Sequence, residues 1–194
     1  MGEVFFTSDT HFNHANIIKY CKRPFASVEE MNGEMISRWN KVVRPRDTVY
    51  HLGDFALGLA TEWPKLFAQL NGAKKMLIRG NHDRAAKKML EVGFTEVQNE
   101  LEWNGWWLRH RPVKTPKKLL CGHIHEKWLR LGWVINVGVD VWDFTPRTID
   151  ELIKAKQSPT TYRCRHCNTE LHKLEDNRAH RNGNCLIAEP IRGR

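Results

Sequence analysis

The sequence predicts an α/β fold in which two packed β-sheets are flanked by helices, with a small extra module at the C-terminus. Apolar strand-like runs alternate with helical patterns through the first half of the chain, and strands dominate from Phe94 onward. An α/β start and a β-rich finish suit two sheets that pack face to face with helices outside them. Near Lys156 the apolar residues become sparse, and Ser, Pro and Thr take their place.

Each element follows from a local pattern. Short apolar runs predict strands at Glu3–Ser8, Thr48–Leu52, Lys74–Ile78, Trp106–Arg109, Lys118–Cys121 and Val134–Val137. Helical patterns lie at Val28–Val43, Trp63–Leu70 and Arg84–Val92. Ser27 and Glu30 have the spacing of a capping box at the start of the first of these helices. Because about 150 residues is a typical single domain, we predict one domain at residues 1–157 and a second module at residues 158–194.

Polar signatures directly follow five of the predicted strands. They are Asp9-Thr10-His11, Gly53-Asp54, Gly80-Asn81-His82-Asp83, His110, and Gly122-His123-Ile124-His125. Because functional sites in layered α/β folds form at the ends of strands, we expect these side chains to converge. The three glycines fit this expectation, since a sharp turn or a close backbone approach penalises a Cβ.

The converging side chains form a metal-binding set. They supply two carboxylates, four imidazoles and an amide oxygen, which together can hold a pair of divalent cations. Such a pair clamps a phosphate and lowers the pKa of a water between the ions. Asp54 is the best bridging ligand, because its two oxygens can serve two cations. His82 is left over, and an imidazole that protonates a leaving group speeds hydrolysis by about 10²–10⁴-fold.

Each signature alone has a simpler explanation. Asp9 could cap a helix over residues 13–21, Gly53-Asp54 could be an ordinary turn, and a lone histidine such as His110 is more often structural than a ligand. The order of all five signatures, each behind a predicted strand, favours the metal site.

This ordered set resembles the calcineurin-like metallophosphoesterase superfamily, and the short chain is similar to its small prokaryotic or phage-type members. The resemblance covers residues 1 to 150 and implies an αββα sandwich with two metal ions, for which Mn, Fe, Ni, Co or Zn all suit the donors. It implies that His82 protonates the leaving alkoxide and that Asp83 can orient its ring. The implied ligands are Asp9, His11 and His125 for the first metal, Asn81, His110 and His123 for the second, and Asp54 for both.

The C-terminal module carries a zinc-like spacing. Its candidate ligands are Cys164, Cys167, His180 and Cys185, with His166 and His172 as rivals. So few apolar residues accompany them that a structural zinc would have to supply most of the folding energy. The alternative is a disordered tail with incidental cysteines.

Charge and aromatic residues point to an anionic substrate. The net charge is +9, and Arg109 and Arg111 flank a predicted ligand, where they are candidates for phosphate contact. The basic face and the zinc module would also suit nucleic acid. Six of the eight tryptophans lie between residues 103 and 142; core packing is their favoured role, with at least one ring exposed for base stacking. A solvated basic face is the simpler alternative.

The sequence therefore predicts a divalent-metal-dependent phosphodiesterase that acts on a nucleotide or nucleic acid. The alternatives are a phosphomonoesterase or nucleotide pyrophosphohydrolase with the same metal centre, and a nucleic-acid-binding scaffold with a zinc module. The cysteines show no evident pairing, no secretory signal is present, and no apolar stretch is long enough to span a bilayer. We therefore expect a cytoplasmic protein without a membrane partner.

Overall fold

The computed structural model describes residues 2–158 continuously and three short strands beyond them. The strands of the continuous part are β1 (Val4–Thr7), β2 (Thr48–His51), β3 (Lys74–Ile78), β4 (Glu96–Gln98), β5 (Glu100–Trp103), β6 (Trp106–Arg109), β7 (Lys118–Cys121), β8 (Arg130–Leu131), β9 (Val134–Asn136) and β10 (Arg147–Thr148). The α-helices are α1 (Ala15–Tyr20), α2 (Val28–Val42), α3 (Trp63–Phe67), α4 (Ala86–Val92) and α5 (Ile149–Lys154). The later strands β11 (Tyr162–Cys164), β12 (Glu170–Leu171) and β13 (Ala188–Pro190) pair with one another.

The strands of residues 2–158 form two mixed five-stranded sheets. The first has the order β10-β1-β2-β3-β4, with β1 to β4 parallel and β10 antiparallel to β1. The second has the order β5-β6-β7-β9-β8, in which β6, β7 and β9 are parallel and the two outer strands are antiparallel. The parallel strands of each sheet end at one edge, and the loops that follow them carry the polar signatures.

The core lies on both faces of the first sheet. Phe6 and Ile78 pack with Leu108 and Leu120 of the second sheet, so that the two sheets meet face to face. On the other face, buried side chains of α1 to α4 pack with residues such as Val49. The outer face of the second sheet is covered instead by side chains from loops, mainly those of residues 124–128. The helices α1 to α4 therefore cover the first sheet only.

The predicted α/β class with two sheets and helices is confirmed. All six predicted strands form, as do the three predicted helices, although α3 ends at Phe67 and α4 begins at Ala86. The strands β4, β5, β8 and β10 were missed because they are short and rich in charged residues. Ser27 accepts a hydrogen bond from the N–H of Glu30, as the expected capping box requires. The Glu30 carboxylate, however, accepts from the N–H of Ala26 instead of from that of Ser27.

Two predictions concern the C-terminal part of the chain. The boundary after residue 157 follows α5 and remains a prediction. The predicted zinc ligands Cys167, His180 and Cys185 lie outside the described residues, as does the side chain of Cys164. Among the described residues, no helix is both long and apolar enough to cross a membrane.

Candidate metal centre

The predicted ligands gather in two groups where the parallel strands of the two sheets end. In the first group, ligand atoms of Asp9, His11 and His125 all lie within 4.8 Å of one another, and in the second group those of Asp54, His110 and His123 do so. The side-chain oxygen of Asn81 lies 3.2 Å from Nε2 of His110, beside the second group. The structure therefore brings all seven predicted ligands together.

Asp54 stands between the two groups. Its Oδ2 atom lies 3.6 Å from Nε2 of His11 and 3.3 Å from Nε2 of His110. Its other oxygen, Oδ1, accepts a hydrogen bond of 2.9 Å from the backbone N–H of His82. One carboxylate oxygen thus faces both groups while the other is held by the backbone, which differs from the expectation that each oxygen would serve one cation.

The backbone at the site is strained. Five of the seven predicted ligands have a positive φ, namely Asp9, His11, Asp54, His123 and His125. The left-handed conformation costs an L-residue about 1–2 kcal/mol, and such residues cluster at functional sites. Main-chain hydrogen bonds between the loops hold this conformation, for example from Asp9 N–H to Gly53 O at 2.9 Å and from His11 N–H to Asp54 O at 3.0 Å.

Three glycines allow the loops to approach the ligands closely. A Cβ at Gly80 would lie 2.1 Å from Oδ1 of Asp54, and a Cβ at Gly122 would lie 2.3 Å from Oδ2 of Asp9. Gly53 has a φ of 99°, and a Cβ there would lie 2.6 Å from Nδ1 of His110. All three distances are far below a van der Waals contact, so the expected close backbone approach at these strand ends is present.

The side chains fit a pair of divalent cations. Both ring nitrogens of His11 are buried, and neither has a hydrogen-bond partner among the residues that the structure describes. A buried polar atom without a partner costs about 1–3 kcal/mol, and a bound cation would remove this cost for the nitrogen that it binds. The mixture of imidazole and carboxylate donors suits Mn, Fe, Ni, Co or Zn.

The electrostatics favour the metal-binding protonation state at three ligands. Burial lowers the pKa of His11 to about 2. Burial, and then the charges of His110 and Arg111, lower the pKa of His123 to about 4. Burial alone would raise the pKa of Asp54, but the hydrogen bond and charge of His110 hold it below its usual value. Two neutral imidazoles and an ionised carboxylate are therefore present at neutral pH, as coordination requires.

The electrostatics oppose the metal-binding protonation state at three other ligands. Burial raises the pKa of Asp9. Although burial lowers the pKa of both His125 and His110, the hydrogen bond to Asp140 raises the pKa of His125 to about 11, and the carboxylate of Asp54 raises that of His110.

Several supporting residues were missed by the sequence analysis. Asp140 lies 2.9 Å from Nδ1 of His125, and Arg23 forms a buried ion pair with Asp140. His51 is buried, and its Nε2 lies 2.9 Å from the hydroxyl of Thr10, which in turn donates to the carbonyl of Phe55. No local pattern marks Arg23, whose partner lies 117 residues further along the chain.

His82 and Asp83 have different environments. His82 is exposed at the mouth of the site, with its ring centre 5.5 Å from that of His11. Both oxygens of Asp83 accept backbone hydrogen bonds, from Asp54 and Phe55 at 2.9 Å and from Gly80 at 2.8 Å. Asp83 thus ties the loop after β2 to the loop after β3, and its effect on the ring of His82 stays a prediction.

The two candidate phosphate-binding arginines also differ. The guanidinium of Arg109 lies 4.8 Å from the centre of the Trp107 ring, and Trp107 packs on the outer face of the second sheet. Arg111 is exposed, and its charge contributes to the lowered pKa of His123. Arg111 is therefore the one that stands beside the second group, while the contact found for Arg109 is with an aromatic ring.

This site and fold define a class of protein. Two mixed sheets that present paired clusters of His and Asp at one edge are the arrangement of a metal-dependent phosphoester hydrolase. The family model for calcineurin-like phosphoesterases matches residues 3–180, and the chain belongs to this family. The resemblance in the motifs is thereby confirmed, and the match extends beyond the residues that suggested it.

Individual relatives support this assignment. An uncharacterized protein of Methanocaldococcus jannaschii is 39% identical over 170 residues, which cover 79% of this chain and 91% of the relative. The gene 66 protein of Mycobacterium phage L5 is 32% identical over 85 residues, 43% of this chain and 41% of the relative. The crystal structure of a protein of unknown function from Aquifex aeolicus superimposes with a TM-score of 0.63 at 29% identity, covering 79% of this chain and 99% of that one.

Proposed function

We propose that this chain is a phosphodiesterase that binds two divalent metal ions and hydrolyses a nucleotide or nucleic acid. Family membership establishes metal-dependent phosphoester hydrolysis as the class of reaction. The observation that carries the dinuclear proposal is the position of Asp54 Oδ2, which faces His11 at 3.6 Å and His110 at 3.3 Å.

Each residue has a distinct role in this proposal. Two bound cations would supply Lewis-acid polarisation of the phosphate and activation of a water molecule. The buried ligands of both groups would hold the metals, and Asn81 and His82 are exposed on the side where a substrate can enter. His82 would hold a proton within reach of the leaving ester oxygen, and Arg111 would bind a phosphate oxygen by charge.

A basic aromatic surface lies where β7 and β9 begin, at the opposite edge of the second sheet from the ligand groups, and it suits a nucleic acid long enough to reach both. Trp133 is 50% exposed, and the Nζ of Lys118 and the Cζ of Arg130 lie 4.9 and 5.4 Å from its ring centre. We call these three residues the Trp133 surface. Cations next to an exposed indole suit a strand whose phosphates bind the charges while a base stacks on the ring. The net charge of +9 favours the same class of substrate.

A substrate panel tests the function. Purified full-length protein is stripped of metal, reloaded with Mn²⁺ and assayed on bis(p-nitrophenyl) phosphate, p-nitrophenyl phosphate, cyclic nucleotides, nucleotide pyrophosphates, dinucleotides, and single-stranded DNA and RNA. We expect the highest kcat/KM on a diester, and Asp54→Asn serves as the inactive control. A higher kcat/KM on monoesters or pyrophosphates would favour those alternatives. Two bound Mn²⁺ ions without turnover of any substrate would favour the binding scaffold.

The structural zinc and the cytoplasmic location remain separate predictions. Thiolate ligands select zinc, so in full-length protein stripped of metal at the two-metal site and reloaded there with Mn²⁺, elemental analysis should show one equivalent of Zn that Cys167→Ser removes. Manganese content at the Asp54 site should not change in this variant. Zinc that stays after the substitution would contradict the predicted ligand set.

A further inference from the structure

A buried ion pair lies directly behind the first group. The Nε and Nη2 atoms of Arg23 donate to the two oxygens of Asp140 at 2.8 and 3.1 Å, and the two side chains are 0% and 3% exposed. Burying a pair of charges carries a desolvation penalty that offsets much of their attraction. Stability alone is therefore a weak reason for this pair, and its other contacts indicate a second role.

On one side the pair holds the loop that carries Asp9. The Nη2 atom of Arg23 donates to the carbonyl of Asp9 at 2.7 Å, and Nη1 donates to the carbonyl of Thr10 at 2.8 Å. Asp9 has a φ of 57°. Two charge-assisted hydrogen bonds thus fix the strained turn that aims its carboxylate at the first group.

On the other side the pair holds His125. Oδ2 of Asp140 lies 2.9 Å from Nδ1 of His125. When Nδ1 carries the proton and makes a hydrogen bond to this carboxylate, a neutral ring has a free lone pair on Nε2 for a metal. A carboxylate behind a metal-binding imidazole fixes the ring orientation and increases the donor strength of the ring.

We propose that Arg23 and Asp140 are positioning residues that couple Asp9 to His125 and so set the affinity of the first metal site. The coupling joins two distant parts of the chain, since Arg23 and Asp140 are 117 positions apart. The inference rests on the proposed metal-binding function.

The second group lacks this device, which makes the effect selective. There Nδ1 of His110 donates to the backbone carbonyl of Leu52 at 2.7 Å, and neither Arg23 nor Asp140 contacts that ring among the hydrogen bonds of the described residues. Removing such a supporting group costs about 10–100-fold in metal affinity. Loss of the Arg23–Asp140 pair should therefore weaken the first site by this factor and leave the second site unchanged.

Calorimetric titration of Mn²⁺ into metal-free, full-length protein tests the proposal. Asp140→Asn keeps the size of the side chain but removes its charge, and Arg23→Lys keeps the charge but cannot make all four hydrogen bonds. Asp143→Asn is the matched control, because Asp143 pairs with Arg38 at 2.6 Å on the surface with its side chain 78% exposed. We expect one of two Mn²⁺ sites to weaken by about 10–100-fold in both test variants and neither to change in the control.

Two further measurements separate positioning from a merely structural role. The ¹⁵N spectrum of the metal-free protein should show a protonated Nδ1 on His125 in the wild type and a changed signal in Asp140→Asn. Saturating Mn²⁺ should restore most of the kcat of that variant, because the metal is weakened rather than misplaced. A lower Tm of the metal-free variants with unchanged Mn²⁺ affinity at both sites would overturn the proposal.

Failure of the two-metal function is distinguishable from failure of this inference. If the wild type binds a single Mn²⁺ that Asp140→Asn weakens, the dinuclear proposal falls and the positioning role of the pair stands. If Asp140→Asn and Arg23→Lys both bind Mn²⁺ as tightly as the wild type, the positioning role falls whatever the number of ions.

Discussion

The two ligand groups are held in place by different means. Behind the first group lies a buried ion pair, Arg23 with Asp140, that contacts one ligand through its backbone and another through its ring. Behind the second group lie main-chain partners, since His110 donates to a carbonyl and the loop of Asp54 is held by backbone bonds to Asp83. The ring of His125 in the first group is thus oriented by a carboxylate, and the ring of His110 in the second by a backbone carbonyl.

Exposure divides the site differently. Asp9 and His11 of the first group and Asp54 and His110 of the second are all buried, whereas Asn81 and the neighbouring His82 are exposed. The buried ligands can fix the metals, and the exposed side leaves room for a substrate that must arrive and leave. The comparison teaches that Asn81 and His82 form the working face of the site, with the buried ligands of both groups as its fixed base.

Asp54 faces both groups, so its loss should have the largest effect. Asp54→Asn removes the charge that faces His11 and His110, and we expect loss of both Mn²⁺ sites and of all measurable hydrolysis. Calorimetric titration measures the loss of Mn²⁺ binding, and a steady-state assay of the same protein sample measures the loss of hydrolysis. Retention of one tight site with partial activity would mean that the two groups are independent and that Asp54 does not bridge them.

His82 should come next. We expect His82→Ala to lower kcat by about 10²–10⁴-fold on a diester with a poor leaving group, with Mn²⁺ affinity unchanged. The loss should shrink for p-nitrophenolate, which leaves without a proton. His14→Ala is the matched control, because its ring lies 5.6 Å from that of His11 without belonging to the predicted set. An equal loss for both leaving groups would contradict proton donation.

A third test compares the two groups through thermal stability. His11→Asn places a residue that tolerates positive φ at a strained position and removes two buried nitrogens that lack partners. Without metal the variant should be as stable as the wild type. With Mn²⁺ it should lose the stabilisation from the first site, about 2.7 kcal/mol at a metal concentration of 100 times Kd.

Asn81→Ala is the counterpart of His11→Asn in the second group. Because its side chain is exposed and supplies a neutral amide oxygen, we expect a smaller loss of Mn²⁺-dependent stabilisation. Differential scanning calorimetry with and without Mn²⁺ compares the two variants. An equal or larger loss in Asn81→Ala would show that this exposed residue contributes as much to metal binding as the buried His11.

The strand-end ligands could be predicted because their signal is local. An apolar run followed by a polar signature identifies both a strand and the residue at its end, as at Ile78 followed by Asn81. The close approach of Gly80 and Gly122 to ligands was predictable for the same reason. The charged outer strands β4 and β5 have no apolar run of their own, although they pair with the apolar strands β3 and β6. For β5 a different local signal was overlooked, because Asn104-Gly105 between β5 and β6 is typical of a two-residue hairpin turn.

The supporting network could not be predicted from one sequence. An isolated arginine such as Arg23 looks like any surface arginine until the fold shows that its partner is Asp140. The role of Asp83 depends likewise on loops that meet only in three dimensions. Arg109 shows that a neighbour in sequence need not share the same surroundings. Its position beside His110 suggested phosphate binding, whereas the alternation of side chains along β6 places it on the same face as Trp107, which it contacts.

The smallest effect should come from the Trp133 surface, which lies outside both groups. Since stacking on an aromatic ring is worth about 1–3 kcal/mol per base, Trp133→Ala should raise KM for a single-stranded oligonucleotide by at least about fivefold and leave kcat unchanged. Lys118→Gln should reduce the salt dependence of binding by about one phosphate contact. Neither variant should alter hydrolysis of a small diester, because neither residue belongs to a ligand group.

Leu59→Ala is the control for loss of an exposed apolar residue, because the side chain of Leu59 is 74% exposed and does not belong to the Trp133 surface. An oligonucleotide KM unchanged in Trp133→Ala would limit substrate recognition to the metal site itself, and an equal loss on the small diester would show that Trp133 acts through the fold.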